Sequence, residues 1–142
     1  MKDLKGGVHL KTVKYSRQRE AIKKYLMSTK EHPTAEMVYE AIRQVCPNIS
    51  LGTVYRNLTF LEEHGEITRL HCGEGSDRFD GNIDPHYHFI CRECGCVQDL
   101  PMLPMDHIDT IAAEHFDGTI EGHYTYFFGI CAGCKAGENI AG

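Results

Sequence analysis

The sequence predicts an α+β protein in which three helices and a β-hairpin precede a smaller α/β unit. Three amphipathic helix patterns, each preceded by a capping residue, fill residues 16–64. Alternating apolar segments separated by turn residues follow Gly65, and the balance of charge reverses near residue 84. Helical spacing and alternation of apolar residues are the primary sequence signals for helices and strands.

Each of the three helices has a recognisable start. Ser16, Thr34 and Ser50 are residue types whose side-chain oxygen caps the first turn of a helix. We expect the second helix to end before Pro47 and the third at Gly65. The apolar positions expected to face the core are Ile22, Tyr25 and Leu26, then Val38, Ala41, Ile42 and Val45, then Val54, Leu58 and Leu61.

Two strands should follow the third helix. Residues 67–71 alternate in hydrophobicity, and a turn at 73–76 leads to a second strand at 77–80. Three helices followed by a hairpin predict a winged helix, that is, a helix-turn-helix whose last helix enters the DNA major groove. The residues predicted to contact DNA are Thr53, Tyr55, Arg56 and Thr59 on that helix, with Lys14 and Arg17 before it.

The charge distribution agrees with this division. Residues 1–84 carry 13 Lys+Arg against 12 Asp+Glu, whereas residues 85–142 carry 2 against 8. This uneven distribution of charge favours double-stranded DNA as a partner of the first part of the chain. A basic surface that only faces solvent would show the same charges. We expect a DNA-binding domain over 1–81 (the front half), a hinge at 82–85 where turn residues and proline cluster, and a dimerisation domain over 86–142 (the rear half).

The rear half is expected to be a small α/β unit. Its predicted elements are strands at 86–90, 97–100, 120–121 and 124–130, a helix at 106–115 and a loose tail from residue 135. A core of under about 60 residues generally needs a bound metal or a partner subunit. We therefore expect a homodimer whose rear half is stabilised by a metal.

Two CxxC pairs supply the candidate ligands for that metal. Cys91 and Cys94 form one pair, and Cys131 and Cys134 form the other. Two such pairs provide the four thiolates of a tetrahedral structural zinc site. The alternative is a set of buried or disulfide-forming cysteines.

A second group of candidate ligands lies beside the first CxxC. His86 and His88 alternate along a predicted strand, so both imidazoles should point to one face, and Asp99 follows shortly after. Imidazole with carboxylate suits iron, manganese or zinc in an exchangeable site. Taken alone, an HxH pattern is a modest signal.

Composition narrows the class of protein. No run reaches the roughly 18 apolar residues of a membrane span, and the N-terminus lacks an apolar signal region, which predicts a cytoplasmic protein without a membrane partner. Seven cysteines in that compartment indicate reduced thiols and metal ligation. An enzyme is the rival class, but no nucleophile–base pair accompanies the candidate ligands. We expect a non-enzymatic protein.

Several segments together resemble the ferric uptake regulator family of repressors. They are His32-Pro-Thr-Ala, Ser50-Leu-Gly-Thr-Val-Tyr-Arg-Asn-Leu, Arg78-Phe-Asp80, His86-Tyr-His88-Phe-Ile-Cys91-x-x-Cys94-Gly and Cys131-x-x-Cys134. The resemblance implies a homodimer with structural zinc on the four cysteines, and a symmetric dimer should read a palindromic operator. It also implies a regulatory Fe(II) or Mn(II) ion that bridges the hinge, held by His32, Asp80, His86, His88 and Asp99.

The resemblance extends to one branch of the family. Aspartate at position 99 is similar to the peroxide-sensing repressors, whereas iron-uptake regulators usually have glutamate there. This implies that peroxide acts as a signal through bound Fe(II), with His32 or His86 taking up an oxygen atom. The alternative is an iron-, manganese- or zinc-responsive uptake regulator without peroxide sensing. Asp106 and His123 resemble two ligands of a further site in some members, but Pro85 and Tyr87 replace two others.

Overall fold

The structure is a computed structural model that describes residues 16–72 and 75–141. Its elements are α1 (Arg17–Ser28), α2 (Ala35–Ile42), α3 (Leu51–Glu63), β1 (Thr68–Leu70), β2 (Arg78–Asp80), β3 (His88–Cys91), β4 (Val97–Asp99), α4 (His107–Ala113), β5 (Tyr126–Gly129) and α5 (Ala132–Ala141). β1 and β2 form an antiparallel hairpin. The second sheet has the order β4-β3-β5, with β3 antiparallel to β4 and parallel to β5. The predicted α+β class, a winged helix followed by an α/β unit, is confirmed.

The three front helices begin at the predicted caps. The side chains of Ser16, Thr34 and Ser50 each accept a hydrogen bond from the backbone N–H three residues later. α3 ends where Gly65 adopts φ 71°, a conformation that glycine reaches at low cost. The N–H of Glu66 then bonds the Leu61 carbonyl at 2.9 Å, which closes the helix end.

The main apolar core lies among α1, α2, α3 and the hairpin. Its buried members are Ile22, Leu26, Ala35, Val38, Ile42, Cys46, Ile49, Val54, Leu58, Leu61, Ile67 and Phe79. The prediction for Val45 is wrong, because α2 ends at Ile42 and the Val45 side chain is 54% exposed. Cys46 occupies the core in its place, since the turn after Ile42 changes which residue faces inward.

Two predictions for the rear half are also wrong. Residues 120–121 form no strand, and β5 begins only at Tyr126, where its pairing with β3 starts. The tail expected to be loose forms α5, whose first turn is built on the second CxxC, with the Lys135 N–H bonded to the Cys131 carbonyl at 2.9 Å. The predicted turn residues Gly73 and Glu74 and the predicted DNA contact Lys14 lie outside the described residues. None of the described helices is long and apolar enough to cross a membrane.

Candidate metal centres

Four cysteines converge where the ends of β3 and β5 lie side by side. One sulfur from each of Cys91, Cys94, Cys131 and Cys134 lies within 4.8 Å of the others. The Cys91–Cys134 and Cys94–Cys131 sulfur pairs are both 3.8 Å apart. A tetrahedron with Zn–S bonds of about 2.3 Å has edges of about 3.8 Å. The spacing of the four sulfurs therefore fits a zinc ion at their centre.

Backbone amides prepare two of these thiols to act as ligands. The N–H groups of Cys94 and Cys131 point at the Cys91 sulfur, at 3.5 and 3.3 Å. These bonds outweigh burial and lower the pKa of Cys91 to about 6. The Cys134 N–H likewise lowers the pKa of Cys131. Metal binding requires thiolates, so this local geometry favours the ligand form.

Cys96 lies beside this group without belonging to it. The turn between β3 and β4 passes through Gly95, with φ 79°, and places Cys96 next to β4. Its sulfur accepts a hydrogen bond from the Gln98 side chain at 3.5 Å. Burial, with the neighbouring thiols of Cys94 and Cys131, raises the pKa of Cys96 to about 12. Cys96 is therefore a partly buried thiol next to the four converging sulfurs and is not one of them.

A second cluster joins the front and rear halves. Its donors are His32 from the loop before α2, Asp80 from the end of β2, His86 from the segment before β3, His88 from β3 and Asp99 from the end of β4. One donor atom from each lies within 4.8 Å of all the others. The structure thus brings together all five predicted residues, which we refer to as the His/Asp cluster.

The loop of His32 is tied to the strand that carries Asp80. His32 has φ 51°, an uncommon conformation for a non-glycine residue. The Arg78 guanidinium donates to the His32 carbonyl at 3.1 Å, and the Phe79 N–H donates to the Pro33 carbonyl at 2.9 Å. These two contacts stabilise the backbone that turns the buried His32 ring towards Asp80.

The two carboxylates lie on opposite sides of the three imidazoles. Asp80 Oδ2 is 3.3, 2.9 and 3.0 Å from the Nε2 atoms of His32, His86 and His88. Asp99 Oδ1 is 2.9, 3.1 and 3.3 Å from the same three atoms. Each carboxylate oxygen therefore lies at about the same distance from all three Nε2 atoms. Only two positions satisfy this, one on each side of the plane through the three nitrogens. Because two oxygens cannot coincide, Asp80 and Asp99 face each other across the three nitrogens.

Hydrogen bonds at the far side of these residues fix their orientation. His32 Nδ1 donates to the Val97 carbonyl at 3.1 Å, and His86 Nδ1 donates to the Asp84 carbonyl at 2.5 Å. Asp80 Oδ1 accepts from the Asn82 N–H at 2.9 Å, which leaves Oδ2 for the cluster. Such outer bonds hold the rings so that Nε2 carries the free lone pair.

The five side chains form a strongly coupled electrostatic group. Burial opposes protonation of His32, but Asp80 and Asp99 outweigh it and raise the pKa of His32 above its usual value. The pKa of His86 is raised in the same way, against burial, by the Asp84 carbonyl and both carboxylates. Burial alone would raise the pKa of the Asp80 carboxyl. Hydrogen bonds with His32 and His88 outweigh burial and hold this pKa far below its usual range.

The donor set fits a divalent transition metal. Ligands about 2.1 Å from a metal lie about 3.0 Å apart when adjacent, and the six nitrogen–oxygen distances run from 2.9 to 3.3 Å. Three imidazole nitrogens with two carboxylate oxygens suit Fe(II), Mn(II) or Zn(II) better than Mg(II) or Ca(II), which prefer oxygen alone.

Sequence reasoning missed the supporting residues around this cluster. A side chain at Gly81 would place its Cβ 2.7 Å from the backbone of Leu26, so only glycine lets the chain after Asp80 pass this close to α1. The carbonyls of Val97 and Asp84 orient two of the rings. The one available signal was a glycine directly after a candidate ligand, because backbone carbonyls carry no sequence signature.

The predicted DNA-facing residues of α3 fall into two groups. Tyr55 and Arg56 are exposed, with the Tyr55 hydroxyl donating to Glu36 at 3.0 Å and Arg56 donating to Thr53 at 2.9 Å. Thr59 is half-buried and accepts from Arg69 at 3.2 Å. Arg17 is exposed at the start of α1, and Lys14 lies outside the described residues.

The further pair considered from sequence does not meet. Asp106 precedes α4 and makes no side-chain capping bond. His123 instead bonds Asp109 and Tyr87, at 2.7 and 2.6 Å. Among the described residues, only the four cysteines and the His/Asp cluster bring three or more candidate ligands together.

Comparison with known proteins agrees with this architecture. The sequence profile of the ferric uptake regulator family matches residues 11–127. The peroxide-responsive repressor PerR of Staphylococcus epidermidis is 37% identical over 127 residues, which cover 89% of this chain and 85% of that protein. Its counterpart in Staphylococcus aureus is 37% identical over 123 residues, which cover 87% and 83%.

Solved structures show the same fold. The Helicobacter pylori ferric uptake regulator Fur, described as having three functional metal binding sites, superposes with a TM-score of 0.76 at 25% identity, over 94% of this chain and 90% of that one. The Campylobacter jejuni peroxide stress regulator superposes with a TM-score of 0.73 at 24% identity, over 94% and 98%.

Proposed function

The chain belongs to the ferric uptake regulator family, and on this premise we propose that it is a metal-dependent repressor that leaves its operator when hydrogen peroxide oxidises a histidine of the His/Asp cluster. The observation that carries the proposal is the cluster itself. His32 and Asp80 come from the front half, whereas His86, His88 and Asp99 come from the rear half. A metal held by all five would restrict the angle between the proposed DNA-binding domain (1–81) and dimerisation domain (86–142).

Structural zinc is the proposed occupant of the four-cysteine site. The sulfur spacing and the lowered pKa of Cys91 both favour it. The site joins the β3–β4 turn to the start of α5. Zinc there would stabilise the half that holds the protomers together.

The second copy of the chain is the proposed partner of the rear half. Ile111 on α4 is 59% exposed, Tyr124 and Phe128 are 92% and 75% exposed, and β5 is an edge strand of its sheet. Exposed apolar residues and an open strand edge are typical of a protein interface. We propose a homodimer through this surface of α4 and β5, with one α3 from each protomer entering the major groove of a palindromic operator in the cytoplasm.

Peroxide has a route to the candidate metal site. A surface cleft lined by Thr29, Lys30, Ile83, Asp80 and Asp99 reaches the carboxylates. The Asp99 side chain is 35% exposed, whereas His32 and His88 are almost fully buried. Small uncharged molecules can therefore approach from the Asp99 side while the His32 and His88 imidazoles remain shielded from water.

Oxidation of a ring would break the connection between the halves. Ferrous iron, if held there, would supply the chemistry that cleaves the O–O bond of peroxide beside its ligands. One oxygen would be inserted at a ring C–H bond of His32 or His86, with the hydrogen retained on the oxidised ring, and the other oxygen would leave with the two peroxide hydrogens as water. The ring would thereby supply the two electrons that peroxide takes up overall. The oxidised ring is a poorer nitrogen donor, so the two halves lose their common ligand set. The peroxide-responsive relative from S. epidermidis supports this branch of the family.

Operator binding with three metals tests the proposal. The zinc-loaded full chain, supplied with Fe(II), Mn(II) or additional Zn(II), is titrated with operator DNA before and after mild peroxide. We expect the Fe(II) form alone to lose affinity after peroxide. Metal-dependent binding that peroxide leaves unchanged in every form would identify an uptake regulator instead, and binding that ignores all three metals would refute the regulatory site.

A further inference from the structure

A third polar cluster lies outside both candidate metal sites. The Tyr87 hydroxyl is 2.6 Å from His123 Nε2, and His123 Nδ1 is 2.7 Å from the Asp109 carboxylate. The N–H of Met105 donates to the same hydroxyl at 2.8 Å. Because the carboxylate accepts the Nδ1 proton, Nε2 is the acceptor, and Tyr87 donates to it. The hydrogen bonds therefore run in one direction, from Tyr87 through His123 to Asp109.

Tyr87 lies between two residues of the His/Asp cluster. Successive side chains in an extended segment point to opposite faces, so the buried Tyr87 ring points away from His86 and His88. Its carbonyl accepts from the Leu100 N–H at 3.0 Å, next to Asp99. The backbone and the side chain of Tyr87 are thus both fixed at the centre of the segment that supplies two rings.

His86 depends on this anchor more than His88 does. β3 begins at His88, so His88 is held by sheet pairing with Asp99 and Tyr126. His86 precedes the strand, and its ring is fixed by the Asp84 carbonyl. Since Tyr87 is the residue between His86 and the strand, its orientation decides whether the His86 ring faces the other donors.

The far end of the polar cluster lies on an unsupported helix. α4 carries Asp109 and has no buried residue. Its Ile111 belongs to the face that we assign to the second protomer. The chain of hydrogen bonds therefore connects the segment of the two histidine rings with the proposed dimer face.

A third metal site does not explain these residues. The two partners of the His123 ring are one carboxylate, Asp109, and one tyrosine hydroxyl, Tyr87. In the described part of the chain, no third group of candidate ligands converges there. The three side chains satisfy one another without an ion.

We propose that Tyr87 is a positioning residue for the His/Asp cluster, held by His123 and Asp109 so that the His86 and His88 rings meet the other three donors. The inference rests on the proposed regulatory metal site. Residues that orient a ligand typically contribute tenfold to a hundredfold to metal affinity. Because Asp109 lies on α4, metal binding and the position of α4 are then linked in both directions.

Manganese binding by the zinc-loaded full chain tests this inference. We compare wild type with Tyr87→Phe, His123→Gln and the double variant by titration against a competing chelator. We expect each single change to weaken Mn(II) binding about tenfold, and the double change to weaken it no further, because both break the same connection. Tyr39→Phe in the front half and His115→Gln on the exposed surface are the matched controls, and both should bind as wild type does.

Two further measurements separate positioning from simple stability. The visible spectrum of Co(II) in the His/Asp cluster reports the ligand geometry and should change in Tyr87→Phe and His123→Gln alone. The unfolding midpoint of the manganese-free protein reports the loss of a buried hydrogen bond. A lower midpoint with wild-type Mn(II) affinity and an unchanged Co(II) spectrum overturns the inference. If Tyr87→Phe does not fold, His123→Gln decides the question by the same criteria.

The controls distinguish this failure from failure of the proposed function. A His88→Ala variant should lose Mn(II) binding if the regulatory site is correct. If His88→Ala binds Mn(II) as tightly as the wild type does, both the regulatory site and the inference are refuted. Binding that requires His88 but is indifferent to Tyr87 and His123 refutes the inference alone.

Discussion

His32 Nε2 and Asp99 Oδ1 lie 2.9 Å apart although 67 positions separate the two residues in the chain. The contact joins the loop before α2 to the end of β4, and so joins the front and rear halves. Without a metal, the pair is a histidine–carboxylate contact with Asp99 partly open to solvent. With a metal, both side chains become ligands of one ion.

Asp99→Asn tests whether this contact belongs to a metal site. The amide keeps the shape of the side chain but removes the charge that balances a divalent cation. We expect Mn(II) affinity to fall at least tenfold, the lower end of the range for residues around a metal, while zinc content stays constant. Chelator competition and elemental analysis measure the two quantities. Asp117→Asn, on the exposed surface, should change neither, and equal affinity in the two variants would exclude Asp99 as a ligand.

The four-cysteine site makes a separate prediction. Cys91→Ser removes the sulfur that accepts two backbone N–H groups, so the variant should lose zinc and form a weaker dimer. Elemental analysis and light scattering measure the outcome. Cys96→Ser is the matched control. Because Cys96 lies outside the group of four sulfurs, this variant should keep its zinc. Full zinc content with an intact dimer in Cys91→Ser would contradict the assignment.

α3 and the N-terminal segment should affect DNA binding differently. Arg56→Ala and Tyr55→Ala remove exposed groups of the proposed recognition helix and should reduce discrimination between operator and random DNA by about 1–3 kcal/mol. Lys14→Ala should weaken binding to every sequence and reduce the salt slope by about one. Binding titrations at several salt concentrations measure both. The half-sites should lie roughly 34 Å apart or a multiple of that distance. Unaltered operator preference in both α3 variants would exclude this helix.

Local signals accounted for most of the front half. The caps at Ser16, Thr34 and Ser50 and the apolar spacing of α1 and α3 are properties of adjacent residues, so the sequence alone predicts them. The prediction that Val45 faces the core was wrong because the helical spacing of apolar residues continues past Ile42, where α2 ends. Periodicity does not specify a helix end when no glycine or proline stands directly at it.

Contacts between distant segments left no such pattern. The predicted strand at 120–121 had the composition of a strand but has no pairing partner in the described part of the chain, whereas β5 is defined by its register with β3. The donors of both metal sites could be chosen by residue type, with the resemblance completing the His/Asp set. The roles of Gly81 and of the hydrogen bonds that link Tyr87, His123 and Asp109 could not be predicted from residue type, because these residues meet their partners only in the folded protein.

Gly81→Ala tests the close approach that positions Asp80. The new Cβ would lie 2.7 Å from the carbonyl carbon and oxygen of Leu26, so the backbone must shift. Overpacking of this kind costs about 1–3 kcal/mol of stability, and the shift should also displace Asp80 and weaken Mn(II) binding. Chemical denaturation and metal titration measure these effects. Gly122→Ala is the control, because no atom lies within 4 Å of its new Cβ. It should change neither stability nor Mn(II) binding.

The last prediction concerns which side chain peroxide modifies. In the Fe(II) protein, peptide mass spectrometry after mild peroxide should find one added oxygen on His32 or His86, in proportion to the DNA binding lost. The same treatment of the Mn(II) protein should leave both rings and DNA binding unchanged, because Mn(II) does not readily donate an electron to peroxide. Oxidation of Cys91 or Cys94 is the competing route, and it would release zinc whichever regulatory metal was present. His86 is the more exposed of the two rings, at 15% against 2%, so access from solvent should favour it. If the Fe(II) protein loses DNA binding while both rings stay unmodified, histidine oxidation is not the sensing mechanism.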